Sequence, residues 1–368
     1  MAKIKEFLKR KDVILSGKRY GIDALGAMAQ GLFCTLLVGT ILNTIGQQFH
    51  IGFLNAVIAT IGTGEGAAKY TIGGLASAMV GPGIAIAIGF ALHCPPLVLF
   101  SLIPVGFATN AMGGAGGPLA VYVVAIVATE CGKLISKETK IDILVTPIVT
   151  VLVGIGLAAL IASPIGKAAS AVGDAVKWAT VQQPFVMGVL VSVIVGIALT
   201  LPISSAAICA ALGLTGLAGG AAVAGCCAQM VGFAIMSFRE NRWGGLVAQG
   251  VGTSMLQMPN IIKNPRIWIP PTLAAAVTGP LATCLFKLEM NGAAVSSGMG
   301  TCGFVGQIGV YTGWVNDVAA GTKAAITTMD WVGLALICFV LPAILSWLFA
   351  LPLRKWGWIK ENDLKLDL

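Results

Sequence analysis

The sequence predicts an all-α, polytopic membrane protein with about ten spanning or partly spanning helices, some of them re-entrant hairpins. Three observations carry this. Hydrophobic residues make up 57% of the chain and charged residues 10%, whereas soluble domains carry roughly 25% charged residues. The charges are also segregated, with no Asp, Glu, Lys or Arg in 70–129, 143–166, 178–238 or 331–353. About 20 apolar residues cross a bilayer as a helix, so each of the two longest gaps can hold more than one crossing. Finally, several apolar runs are interrupted by Gly, Pro and small polar residues, which an uninterrupted span does not need.

The net charge of +8 argues against nucleic acid once its location is considered. Basic residues crowd the N-terminus, "KLISKETKID" (133–142), "FRENRW" (238–243) and the tail after Leu353. Lys and Arg in short loops mark the cytoplasmic side, so both termini are expected to face the cytoplasm of a bacterial inner membrane. Residues 1–19 mix basic and apolar residues at helical spacing and read as an amphipathic segment on the inner leaflet. The membrane domain is then 20–353, and 354–368 a cytoplasmic tail. No small-residue cleavage site follows a short apolar core, so a removable secretory signal is not expected. The nine cysteines show no metal-ligand spacing and read as small hydrophobes.

Taken in order, 21–46 reads as a first span. "NAVIATIGTGEGAAKY" (55–70) interrupts the next apolar stretch with glycines and Glu65. Spans follow at 71–92 and 94–109, separated by His93-Cys94-Pro95-Pro96. "TNAMGGAGGP" (109–118) is a glycine-rich break, 119–135 returns to the basic loop, and 143–163 is an uninterrupted span. "SPIGKAASAVGDAVKWATVQQP" (163–184) is expected to be a surface connector, and 185–201 another span. The small-residue run 201–227 reads as a re-entrant hairpin or a tightly packed helix. Residues 245–262 and 290–309 are similar, and 331–352 is the last span.

Irregular backbone at membrane depth is tolerated only where it is buried in protein or lines a wet cavity. Several breaks in one chain therefore point to a polar chamber, and transporters build solute sites from discontinuous helices. The leading candidates are Gln257 and Asn260 in "GTSMLQMPNIIKNPRIWIPP" (252–271), amides beside a proline break that supply both donors and acceptors. Capping of the hairpin's own backbone is their structural alternative. Ser204 and Ser205 begin the facing candidate hairpin, with helix–helix hydrogen bonding as the alternative. Asn110 in "ATNAMGG" and Asn291 in "FKLEMNG" are further candidates. Glu65 is an intramembrane carboxylate of the kind usually functional or paired, and Lys69, four residues on, would meet it along a helix.

The block 113–166, from "GGAGGPLAVYVVAIVATECGKLISKETKID" to "ASPIG", resembles the membrane subunit, IIC, of sugar phosphotransferase systems, especially the fructose type. "LPISSAA" (201–207) looks like that family's "GPVNKAA", and 252–279 like its "GITEGAIPFAAADPLRVIPS…G" segment. "NPRIWIPPTLAAAVTGPLATCLFK" and "GMGTCGFVGQIG" are closer to the stand-alone IIC-like branch that includes the PfoR regulator proteins. The resemblance implies an elevator-type fold and a homodimer that translocates a sugar or sugar-like solute. It also implies a possible partner in a separately encoded IIB protein. Two departures stand out: Met255 occupies the place of the family's loop glutamate, and Ser204-Ser205 replace its asparagine–lysine pair. Phosphoryl transfer to a sugar hydroxyl needs a carboxylate or similar group nearby, so coupling to phosphorylation is put in doubt. The sequence assigns no catalytic residue, metal or cofactor. Its partners are a small polar solute and the lipid bilayer, with a ligand-sensing regulator as the competing function.

Overall fold

A computed structural model describes residues 2–62 and 67–366. The chain divides into two units, Met1–Gly39 with Gly74–Ala169 and Thr40–Gly73 with Ser170–Leu368.

In the first unit, α1 (Ala2–Arg10) ends in basic residues; α2 (Arg19–Gln48), the first apolar helix, begins there and ends in the second unit's residues. A 53° bend separates α3 (Ile72–Ala78) from α4 (Val80–Ala91). Pro82 accounts for it, because its ring crowds the carbonyl four residues back, where α3 stops. Pro95 and Pro96 restart the chain as α5 (Pro96–Gly113), in keeping with the preference for proline in a first helical turn. Gly114, at φ 52° and ψ −126°, breaks the path before α6 (Gly117–Ile135). Helices α4 and α5 meet backbone to backbone: a Cβ on Gly81 would lie 2.2 Å from the Gly106 carbonyl oxygen.

Helix α7 (Asp142–Thr180) departs from expectation. The sequence suggests a break at "SPIG", yet its 39 residues form one helix with Pro164 inside it. The alanine-rich run that follows is strongly helix-forming, which offsets the single lost hydrogen bond. At 1.5 Å per residue the helix is far longer than the roughly 30 Å bilayer core.

Lys133 also departs from expectation, because it is 1% exposed rather than in a solvated loop. Its ammonium donates to the carbonyls of Asp12 (2.5 Å) and Leu92 (3.0 Å) and lies 3.2 Å from Glu130 Oε2. Arg19 binds the Asp12 carboxylate and Leu92 O, while Arg10 and Lys11 bind Glu138. The hydrogen bond from Arg19 holds Asp12 below its ordinary value of 3.8, against opposing burial. Lys11 does the same for Glu138, below 4.5. A lowered carboxyl pKa stabilises the folded state above the unfolded pKa and is lost as pH falls through the folded one. Residues 6–20 should therefore keep their amide-exchange protection near neutrality and lose it in acid, below about pH 4. Protection that does not change on acidification, or a Asp12→Asn variant with the wild-type pH profile, would sink this prediction.

In the second unit, β1 (Ala59–Ile61) pairs antiparallel with β2 (Ala68–Tyr70). Lys69 thus sits on a strand opposite Thr60 and not on the helix expected for it. Glu65 lies outside the described residues. Helix α8 (Pro184–Thr200) is followed by α9 (Ser205–Leu212), a left-handed Gly213 and α10 (Gly216–Met236). The expected hairpin at 201–227 is therefore a short helix and turn leading into a full-length helix. Helix α10 is the buried centre, packed against α8, against the helix Ile269–Pro280 and against the last helix. After α11 (Phe238–Val247) the backbone is broken through 248–268, with only α12 (Met258–Lys263) regular. Then come α13 (Ile269–Pro280), α14 (Val305–Ala319) and α15 (Thr328–Lys355). The last begins with a capping box between Thr327 and Asp330. Residues 290–304 are broken too, with positive φ at Gly300, Gly303 and Phe304.

Among the described residues six helices are long and apolar enough to cross a membrane, seven if α3 and α4 form one span. Helix α8 is a shorter apolar helix, and the stretch covering α5 and α6 is counted once despite its 3₁₀ turn. Such broken and short pieces make up the higher number, about ten, that hydropathy gives. The all-α, polytopic prediction holds.

Candidate functional site

The stretch 252–271 lies wholly in the second unit and is irregular, as its composition predicts. Thr253 is extended, and its hydroxyl accepts from Met255 N. Asn264 is extended too, and its side chain accepts from Arg266 N. Both cap short 3₁₀ turns, so side chains satisfy donors that a continuous helix would bond internally. Ser254, Met255, Gln257, Met258, Pro259, Asn260 and Ile261 are all buried.

Two polar networks hold this stretch. The first centres on Gln229 of α10, which is fully buried. Its Oε1 accepts from Trp268 Nε1 at 2.9 Å, and its Nε2 donates to Thr272 Oγ1 at 3.2 Å. Thr200, at the end of α8, donates to the same Oε1 at 3.4 Å and lies 2.8 Å from Ser254 Oγ. One amide thus ties both limbs of the broken stretch to two helices. Sequence reasoning missed Gln229. Its signal was present, the one amide after Gln183 in the charge-free stretch 178–238, where polar groups are costly and usually functional.

The second network brings together the two leading candidates. Gln257 Nε2 donates to Gln249 Oε1 (2.8 Å) and to Leu364 O (3.0 Å). Asn260 Nδ2 donates to Gln257 Oε1 (2.9 Å) and to Lys365 O (2.8 Å). Gln249 Nε2 donates in turn to Ser237 Oγ and Gly245 O. Asn241 and Asn264 extend the row, and both also bond the tail. Gln257 and Asn260 are therefore paired with each other, with Gln249 and with the tail carbonyls, not with their own hairpin's backbone.

The remaining candidates lie elsewhere. Ser204 caps α9 by accepting from Ala207 N, and Ser205 donates to Gly298 O at 2.8 Å. Asn291 accepts from Gly216 N, and its Nδ2 donates to Glu289 Oε2 and Asp317 Oδ2. It borders a cleft of about 430 Å³ lined also by Lys287, Trp314, Thr322 and Lys323. Asn110 belongs to the first unit, where a Cβ on Gly117 would lie 2.4 Å from its Oδ1. That close fit matches a packing role.

Residue 255 decides what chemistry this arrangement offers. Met255 is buried and supplies no acid. The groups that residues 229–268 contribute to the two networks are amides, hydroxyls and an indole. They can recognise hydroxyl and carbonyl oxygens, and none is a general acid or base at neutral pH.

The family model described as Phosphotransferase system, EIIC matches residues 22–366. The chain belongs to the EIIC family. Searches of curated proteins and of solved structures give no match. As an EIIC-family chain it is a multi-pass membrane protein of sugar transport, in a family that works with a sugar substrate and other phosphotransferase components.

Proposed function

We propose that this EIIC-family chain carries a small polar solute, a sugar or sugar-like compound, through a site built on residues 252–260 of the second unit. The observation that supports it is a buried row of amides and hydroxyls at broken helix ends, where donors and acceptors for sugar hydroxyls stand side by side. Gln257 and Asn260 contact the solute, and Ser204 and Ser205 contribute from the facing turn. Asn291, Asn110 and Glu65 are the outlying candidates. Buried Met255 in place of an acid favours translocation without phosphoryl transfer. A bacterial inner-membrane homodimer with cytoplasmic termini and elevator-type exposure of the site completes the reading.

Vesicles containing the purified protein are expected to take up labelled D-fructose or D-mannitol without a phosphoryl donor. Gln257→Ala and Asn260→Ala should each lower uptake by roughly ten- to a hundredfold, since a buried polar partner is left unpaired. Unchanged uptake would remove both from the site. Phosphosugar formed only with phosphorylated IIB would instead establish a coupled subunit, and binding without uptake a ligand-sensing regulator.

A further inference from the structure

We propose that Asn241, Gln257, Asn260 and Asn264 form a groove for polypeptide main chain, with residues 358–366, turned at 361–364, as its resident, exchangeable occupant. Four side-chain amides, from α11, the 3₁₀ turn at 254–257, α12 and the turn after it, converge on this one segment. Asn241 makes a two-point contact, donating to Leu364 O at 2.7 Å and accepting from Leu366 N at 2.8 Å. Around Lys365 alone that pattern imitates a neighbouring strand, the device by which peptide-binding proteins grip main chain regardless of sequence. Gln257 donates to the same Leu364 carbonyl, Asn260 to that of Lys365, and Asn264 to that of Trp358 and to Asp363 Oδ2.

Two side chains give the groove its selectivity. Leu364 is fully buried and Ile359 nearly so, while Lys360, Glu361 and Lys365 remain exposed. Arg266 also stacks over Trp358, 5.0 Å from the ring centroid. The ligand class is thus a peptide that turns through 361–364 and places an apolar side chain at the position of Leu364. A handful of bonds, each a modest net contribution, holds the segment, so it can leave without global unfolding.

The regulatory consequence rests on the solute reading above. The tail's carbonyls occupy the same N–H groups of Gln257 and Asn260 that would meet a sugar, so tail and solute exclude one another. The tail is then a competitor carried in cis, and its release controls access to the site.

The test uses the full chain with a protease site inserted after Gly357, purified folded and then cut. The probe is a fluorescent peptide of sequence WIKENDLKL, residues 358–366. The cut protein, stripped of its tail, should bind the probe, and the uncut protein should bind it roughly tenfold more weakly or worse, because the tethered copy has a high effective concentration. An unlabelled peptide carrying Leu364→Lys should fail to compete, and Asn241→Ala in the protein should weaken binding. If stripped protein that keeps its native thermal unfolding ignores the probe, or if cut and uncut protein bind it equally, the groove proposal is overturned. Uptake separates this from the solute reading. Probe binding together with unaltered uptake in Gln257→Ala keeps the groove and removes the site. Lost uptake in Gln257→Ala without probe binding does the reverse.

Discussion

Gly225→Ala is expected to cost more stability than any other single methyl group added to this chain's central helix, apart from its twin at Gly220. A Cβ on Gly225 would sit 1.9 Å from Ser192 O, and one on Gly220 1.7 Å from Leu288 O. The obstacle in each case is main chain, which cannot rotate away as a side chain would. Helix α10 would have to move off α8 by more than an ångström, opening contacts along a fully buried face. Overpacking usually costs about 1–3 kcal/mol, and a backbone-to-backbone contact belongs at or beyond the upper end. The unfolding midpoint in detergent, followed by tryptophan fluorescence, should fall by on the order of 10 °C. Gly156→Ala is the control. It lies on α7 with nothing within 4 Å of its Cβ, so alanine should be neutral or gain up to about 1 kcal/mol from helix propensity. Equal midpoints for the two variants would refute the close-approach argument.

These glycines also explain what the sequence made legible. Charge-free stretches located the spans, and proline or glycine clusters located the breaks at 93–96, 114–116, 252–268 and 290–304. Both signals are local, since an apolar run and a missing N–H act wherever the chain goes. Gln257 and Asn260 stood out for the same reason, as amides beside a proline break, although their bond to each other was not read from it. What escaped depends on distant partners. Gln229 meets Thr200 and Trp268, 29 and 39 residues away in sequence, and the Gln257–Leu364 bond spans 107. No periodicity announces such contacts. The tail read as solvated because Lys, Glu and Asp dominate it, yet its main chain and Leu364 carry the interaction. The strand at Lys69 and the unbroken α7 are cases where a glycine or proline signal was real but its local outcome had more than one solution.

The two polar networks divide their work by composition. Gln229 uses both ends of its amide on groups covalently fixed to helices, which makes it a clamp. Gln257 and Asn260 spend part of their capacity on a segment that can leave, so that half of their hydrogen bonding can change partner without disturbing the scaffold. A solute site needs that asymmetry, because donors committed wholly to the scaffold could meet a ligand only by unfolding it.

Lys133→Met is expected to be the most damaging substitution in the first unit. Of the four charged groups gathered there, Asp12 is the best solvated, with its side chain 45% exposed, and Arg19 keeps several acceptors. Removing Lys133 leaves Leu92 O and Asp12 O still bonded to Arg19. Glu130 fares worse. Its Oε2 lies 3.2 Å from the ammonium and has no other partner among the described residues, while Oε1 has only Tyr20 Oη at 3.1 Å. Breaking a buried pair from one side costs about 3–5 kcal/mol because the remaining charge is stranded. Glu130→Gln should be milder, since Lys133 retains two carbonyls and the amide can still accept from Tyr20. The double variant Glu130→Gln/Lys133→Met should then recover much of the loss, giving a coupling energy of about 1–3 kcal/mol in a double-mutant cycle. Thermal unfolding of the four proteins in detergent measures it. Additive losses would mean that Lys133 acts through its carbonyl contacts and that the Glu130 pair contributes nothing.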